Sequence, residues 1–507
     1  MYDLIPEPRK LNPASGCCDL SGGAAVTAGP GLETEAGVVE QWLRTALGVK
    51  IDPAEHAAKA GLPIRMDIDR SLGGAEEYRL SVKPGLISIS AGGADGIIRG
   101  GATLWQLALS EGRKLPCLEI EDGPRFGWRG LMLDCARNFF TVEFIEKLLD
   151  LAALHKLNVF HWHLVDDQAW RIDLPSMPEL AELGSKRLDR RVHSLRWKTG
   201  CYSAADIKRV VAFAAARHIA VMPEIETPGH STALLASHPR LSCRGFAPDG
   251  GPFYPEDRYG VFDDILCAGN DATFDFIGQV LDDMVELFPG PVFHMGGDEA
   301  PKVRWNNCEK CRARMRKLNL RDEGGAYDAE KLQAWFMGRE AEMLASHGRR
   351  MGGWDEVLEG GVRKDTLIFS WRGYSGGIAG ARAGYDVVMC PQTKACYLDH
   401  KNLDSPEEPG WLGVCTVRDS YNFEPVPPEL SASEARHIVG GQANVWSEML
   451  YFSRQAEYMI FPRLSALSEV FWSPAEKKNF ERFTEKLAVH QKRLASLDVN
   501  SYKGRLF

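Results

Sequence analysis

Apolar and polar positions fall into two regimes along the chain. From residue 128 onward, short apolar runs alternate with longer stretches of helical period. The runs at 130–134, 158–164, 219–224, 292–295, 350–354, 367–371, 386–389 and 438–443 read as strands. Helical spacing fills 142–155, 204–217, 271–288 and 327–347, and closing helices are predicted over 456–470 and 475–496. Eight β segments separated by helices predict an α/β fold, a (β/α)8 barrel over 123–507. The first 122 residues differ. A helix at 39–47 precedes alternating strands at 63–69, 77–82 and 86–91, punctuated by Pro84-Gly85 and Gly92-Gly93, and a helix follows at 97–109. This predicts a small α+β domain over 1–122. The segment 116–125, with its Asp122-Gly123-Pro124 turn signal, is expected to be the junction.

A barrel makes a further demand: functional side chains belong at or just past the C-terminal strand ends, where the βα loops open. Polar and aromatic residues cluster there. In strand order they are Asp134 and Arg137; Asp166 and Asp167; Glu224, Glu226 and His230; Asp298 and Glu299; Trp354, Asp355 and Glu356; Trp371; Tyr397 and Asp399; and Trp446 and Glu448. A rim of acids, one arginine and several tryptophans suits a sugar, whose ring faces stack on aromatics and whose hydroxyls hydrogen-bond carboxylates and guanidinium. The most pointed stretch is His294-Met295-Gly296-Gly297-Asp298-Glu299. Two glycines let the backbone turn, and two adjacent carboxylates then project in different directions. Such a pair need not flank a glycosidic bond as a two-carboxylate pair does, and it suits a division of roles. Substrate-assisted hydrolysis needs that division: one carboxylate holds a 2-acetamido group whose oxygen attacks C1, and the other passes the proton.

Length, charge and cysteines narrow the reading. A chain of 507 residues accommodates a barrel and one small domain. The net charge of −9, without a basic block, excludes nucleic acid as a partner. No stretch reaches 18 uninterrupted apolar residues, so no membrane span is expected. The start, MYDLIPEPRK, lacks a basic and then apolar leader, which makes a cytoplasmic location the expectation and a truncated secreted form the alternative. The 12 cysteines are scattered and are expected to be free thiols. Cys308 and Cys311 form a C-x-x-C without the second pair a structural zinc site needs, so no metal and no cofactor are expected. His161-x-His163 has ligand-like strand spacing, which makes a metal-dependent hydrolase a rival reading. Both residues lie inside a strand, however, where they are expected to fill the barrel.

Five stretches, GWRGLMLDCARNFF (127–140), NVFHWHLVDDQAWRI (158–172), VMPEIETPGH (221–230), VFHMGGDEAP (292–301) and GGQANVWSEM (440–449), together resemble glycoside hydrolase family 20, the β-N-acetylhexosaminidases. IPEPRK and GGATLWQL, with the run from Tyr78 to Leu107, resemble that family's accessory domain. The resemblance implies that Asp298 orients the acetamido group, Glu299 is the general acid/base, and Tyr397 donates to the acetamido oxygen. It implies that Asp166 and His230 support Glu299, and that Trp354, Trp371 and Trp446 wall the acetamido pocket. Arg137, Asp399 and Glu448 would grip ring hydroxyls. The implied partner is an oligosaccharide or glycoconjugate ending in N-acetylhexosamine, cut by exo action. Asn138 stands where the family often has His, and Glu224-Ile225-Glu226 where it commonly has E-x-D. A sugar-binding protein on an inactive scaffold is a further alternative, against which intact Asp298 and Glu299 argue, and a glycosidase cutting a different terminal unit is another.

Overall fold

Eight parallel strands close on themselves in chain order: Trp128–Asp134, Val159–His163, Ala220–Thr227, Val292–Gly296, Arg350–Trp354, Leu367–Ser370, Val387–Met389 and Ile438–Val445. They are described by a computed structural model that covers residues 2–48, 51–52, 62–189, 196–393, 395–410 and 412–506. Most strand residues are buried, because helices cover the outside and side chains fill the inside. Several barrel helices begin where a side chain satisfies the first free N–H groups. The Thr141 hydroxyl accepts from Phe144 N before Val142–Leu154. Ser203 and Asp206 cap each other reciprocally before Ala204–Ala215, and Asp328 accepts from the first turn of Ala329–Ser346.

The N-terminal domain is a mixed sheet whose described strands run in the order Lys10–Asp19, Lys114–Asp122, Tyr78–Lys83, Leu86–Ala91, Leu62–Ile68, Ala24–Ala28 and Ile51–Asp52. The helices Glu33–Leu47 and Ala94–Glu111 pack on it and on each other. Three expectations are corrected. Residues 116–125 are not a linker, because Lys114–Asp122 pairs antiparallel with two neighbours in this sheet and only the turn after it joins the domains. The predicted helix 456–470 is two, Ser453–Ile460 and Arg463–Trp472, divided at Pro462, whose ring and missing N–H end a helix. The third strand runs on to Thr227, so Glu224 and Glu226 lie within it, below the mouth.

Inside the barrel, Glu224 is ringed by imidazoles. His163 Nδ1 donates to Glu224 Oε2, His161 Nε2 lies 3.0 Å from the same oxygen, and His294 Nδ1 lies 2.7 Å from Oε1. Burial alone would lower the His163 imidazole, but Glu224 and Asp166 outweigh it and raise it to about 10. Burial lowers His161 to about 4. One imidazolium and one carboxylate thus satisfy each other in the core, and the His161-x-His163 spacing is accounted for by this network.

Candidate active site

The fourth strand ends in an unusual backbone. Gly296 and Gly297 take φ of +68° and +95°, and Glu299 itself takes +46°. A Cβ on Gly296 would sit 1.8 Å from Glu226 Oε2, and one on Gly297 would meet Val357 Cγ1 at 2.5 Å. The two glycines are therefore required by space as well as by conformation. His230, at φ +46°, is the other left-handed side-chain-bearing residue here. Two such residues facing each other store roughly 1–3 kcal/mol of strain apiece, which surrounding contacts must offset.

The resulting turn delivers Asp298 and Glu299 to one cavity of about 340 Å³, near the lower end of the ~300–1,000 Å³ usual for small-molecule sites. Arg137, His230, Trp354, Trp371, Tyr397, Trp446 and Glu448 line it as well. Trp371 and Tyr397 stand nearly parallel, with centroids 6.4 Å apart and 13° between planes. The Trp371 indole N–H donates to Glu356 Oε2 at 2.9 Å. Trp354 is buried beneath, with its ring 4.7 Å from His294 and 5.8 Å from Trp446, and closes the bottom. The Arg137 guanidinium lies over Trp446 at 5.0 Å, donates to Gln168 Oε1 at 2.9 Å and pairs with Asp166 Oδ2 at 2.6 Å. Asp399 and Asp166 do not line the cavity. Asp399 sits behind it, where its Oδ1 accepts from Trp446 N at 3.4 Å.

Electrostatics divide the two acids. Burial raises the Asp298 carboxyl; His230 opposes this, while Glu299 and Glu224 add to it. Glu226, buried beside Asp298, is pushed well above the usual carboxylate range by burial, then by Asp298 and Glu224. It is the group of that pair that holds the proton. Glu299 is lowered, chiefly by the His230 N–H, whose Nε2 lies 3.4 Å from Oε2. Burial lowers His230, but Asp166, Asp167 and Glu299 together raise it well above the ordinary imidazole range. The implied Asp166–His230 support is shared. His230 Nδ1 is 2.9 Å from Asp167 Oδ2 and 3.4 Å from Asp166 Oδ1, so Asp167 is its closer partner while Asp166 holds Arg137.

A family model for the glycosyl hydrolase family 20 catalytic domain matches residues 126–475, and one for domain 2 of the same family matches residues 1–123. The chain belongs to glycosyl hydrolase family 20. It is 38% identical to a β-hexosaminidase of Porphyromonas gingivalis over 96% of its own length, and spans 62% of that relative. It is 35% identical to a β-hexosaminidase of Vibrio furnissii, covering 92% of this chain and 76% of the relative. Among solved structures, a family 20 exo-β-N-acetylglucosaminidase of Vibrio harveyi in complex with N-acetylglucosamine superposes with a TM-score of 0.88. That pair is 31% identical, and the match covers 99% of this chain and 78% of the other. A variant β-hexosaminidase of Streptomyces plicatus in complex with its product N-acetylglucosamine gives 0.84 at 30% identity, covering 99% and 97%.

In this family 20 chain the strand-end rule finds most of the cavity but not all. Gly260, Val261, Gln392 and Leu412 also line it. They come from loops whose path no periodicity encodes. Asp167, to which the resemblance assigns no role, accepts from both the Thr232 hydroxyl (2.7 Å) and Thr232 N (3.0 Å) besides holding His230. Its value lies in a three-dimensional contact that its place in the Asp166-Asp167 pair does not announce.

Proposed function

We propose that this chain is an exo-acting, retaining β-N-acetylhexosaminidase that removes one terminal β-linked N-acetylhexosamine by substrate-assisted catalysis. The observation that carries this reading is the convergence of Asp298 and Glu299 on one tryptophan-lined cavity closed at its base by Trp354. Support comes also from the two solved family members named above, which hold N-acetylglucosamine.

In this reading the sugar ring sits among the indoles with its 2-acetamido group toward Trp354, Trp371 and Tyr397. Asp298 accepts the amide N–H, steers the carbonyl oxygen onto C1 and faces the positive charge that develops as the oxazolinium ion forms. The Tyr397 hydroxyl, kept protonated by burial, donates to that oxygen. Glu299 gives its proton to the leaving oxygen and then takes one from the incoming water. His230 holds Glu299 low in the open cavity, whereas a bound sugar strips water from it, an effect of opposite sign that favours the acid form needed first. Arg137 and Glu448 bind outer hydroxyls, with Asp399 behind them. The remainder of the glycan extends over the wider cleft of about 880 Å³ that shares Val261 with the cavity.

The test is hydrolysis of aryl β-glycosides of N-acetylglucosamine, N-acetylgalactosamine and glucose. At least one acetamido sugar is cleaved, and glucose, which has no internal nucleophile, is left intact. Equal cleavage of glucose overturns the mechanism. Glu299→Gln and Asp298→Asn each lower kcat by about 10²–10⁴-fold with the fold retained, read by kinetics beside circular dichroism.

A further inference from the structure

Four cysteine sulfurs, from three separate segments, meet at one point outside the sugar cavity. Cys243 stands at the start of the long loop after the third strand, and Cys267 at its end. Cys308 and Cys311 flank the first turn of the helix Glu309–Leu318. The Sγ atoms of Cys243 and Cys311 are 3.8 Å apart, those of Cys267 and Cys308 3.8 Å, and those of Cys267 and Cys311 3.6 Å. All four lie within 4.8 Å of one another. Bonded sulfurs would be about 2.05 Å apart, so none of these pairs is a disulfide. Four thiolates placed tetrahedrally around zinc, each at about 2.3 Å, have sulfurs about 3.8 Å from one another. The expectation of no metal rested on the missing second pair. Folding supplies it from residues 24 positions apart in the sequence, 243 and 267.

We infer that Cys243, Cys267, Cys308 and Cys311 bind one zinc ion as a closed structural tetrathiolate site. The surroundings are those of a built site. Gly269 has no room for a side chain, since a Cβ there would come within 2.1 Å of the Lys310 carbonyl carbon and 2.3 Å of Cys311 N. The backbone is thus pressed directly onto the C-x-x-C turn. Cys267 N donates to Leu241 O at 2.7 Å, and the Trp305 indole to Leu266 O at 2.9 Å, which fixes both roots of the loop. The N-terminus of Glu309–Leu318 faces the cluster with its positive dipole end, which favours thiolate over thiol. The four ligands fill the coordination sphere, so the ion has no open position and supplies no chemistry. It clamps the loop after the third strand, which carries Gly260 and Val261 to the cavity, against the segment that follows Asp298 and Glu299.

The full chain, purified without chelator from zinc-containing medium, should hold about one zinc per molecule by plasma mass spectrometry. Reconstitution of the reduced, demetallated chain with cobalt(II) alone should produce sulfur-to-cobalt charge transfer and the ligand-field bands of a tetrahedral tetrathiolate. That signature distinguishes this cluster from the imidazoles around Glu224. Cys308→Ser/Cys311→Ser should lose the metal, and Cys390→Ser, outside the cluster, should keep it. The demetallated chain should be cut by protease within 244–262 about ten-fold faster than the zinc form. Absence of both zinc and cobalt binding, cysteines that resist alkylation until disulfides are reduced, or metal retained by the double serine variant each overturn the proposal. If that variant fails to fold, the cobalt spectrum of the native chain decides.

Discussion

His230 stands among four carboxylates: Asp167 at 2.9 Å, Asp166 and Glu299 at 3.4 Å, and Asp298 at 3.6 Å. Burial disfavours its charge, yet the acids win and it stays an imidazolium through neutral pH. Its charge in turn opposes the burial-driven rise of Asp298 and lowers Glu299. His230→Gln removes one cause of lowering from each. With Asp298 and Glu299 in their proposed roles, both limbs of the kcat/KM profile move to higher pH, and kcat falls about 10²-fold because Glu299 is no longer held in place. A pH series on an aryl glycoside checks this, and an unmoved profile assigns the limbs to other groups. The same cluster shapes stability. The His230 contribution is complete below its unfolded value near 6.5 and fades as pH climbs through its raised native value. Burial raises Asp166, but Arg137 and His230 hold it far below the usual range, so its contribution is present above about 3.8 and disappears only in strong acid.

At the level of elements, the helix Ala329–Ser346 buries Glu340 completely, and the nearby Thr227 hydroxyl is committed to Met295 O at 2.9 Å. Burial pushes this carboxyl well above its usual range, so folding keeps it protonated. An acid raised in the native state costs stability as pH rises above its unfolded value. Glu340→Gln should leave the thermal midpoint unchanged near pH 4 and raise it by roughly 2–4 °C at pH 8, measured by calorimetry. The element map also marks what the sequence makes legible. The barrel strands are readable because both faces are buried and the apolar runs are nearly continuous. Lys10–Asp19 is not, since it is an edge strand, exposed along most of its length, with a register shift between Pro13 and Cys17. Lys114–Asp122 is obscured by the Asp122-Gly123-Pro124 turn that ends it. Periodicity runs straight through Phe461-Pro462, where backbone chemistry and not pattern decides. In the site, Arg137, Trp354 and Glu299 are found by the strand-end rule. Val261 and the Cys243–Cys267 pairing depend on the course of a long loop, which no local signal specifies.

The two domains are joined through buried charge. Asp122 of the small domain accepts at Oδ2 from Tyr78 OH (2.8 Å) and, across the seam, from Lys156 Nζ (2.8 Å) and Trp472 Nε1 (3.0 Å). Glu76 pairs with Arg129 of the barrel and with Arg99, whose Nε is 3.0 Å away. Asp122→Ala strands the Lys156 ammonium without its anion and should destabilise the whole chain by about 3–5 kcal/mol, seen in urea unfolding. Loss of one domain's signal ahead of the other in that experiment would mean the seam does not couple them. Among the described residues no helix is long and apolar enough to cross a membrane.

Trp354, packed against His294, closes the base of the cavity. Under the proposed exo action, a cut glycan leaves its detached sugar at the closed base with the shortened chain on the mouth side. The chain must depart before the monosaccharide can follow, and it must return to be cut again. Digestion of a homopolymer is then distributive: every intermediate length accumulates early, and no substrate molecule is consumed to completion while others stay whole.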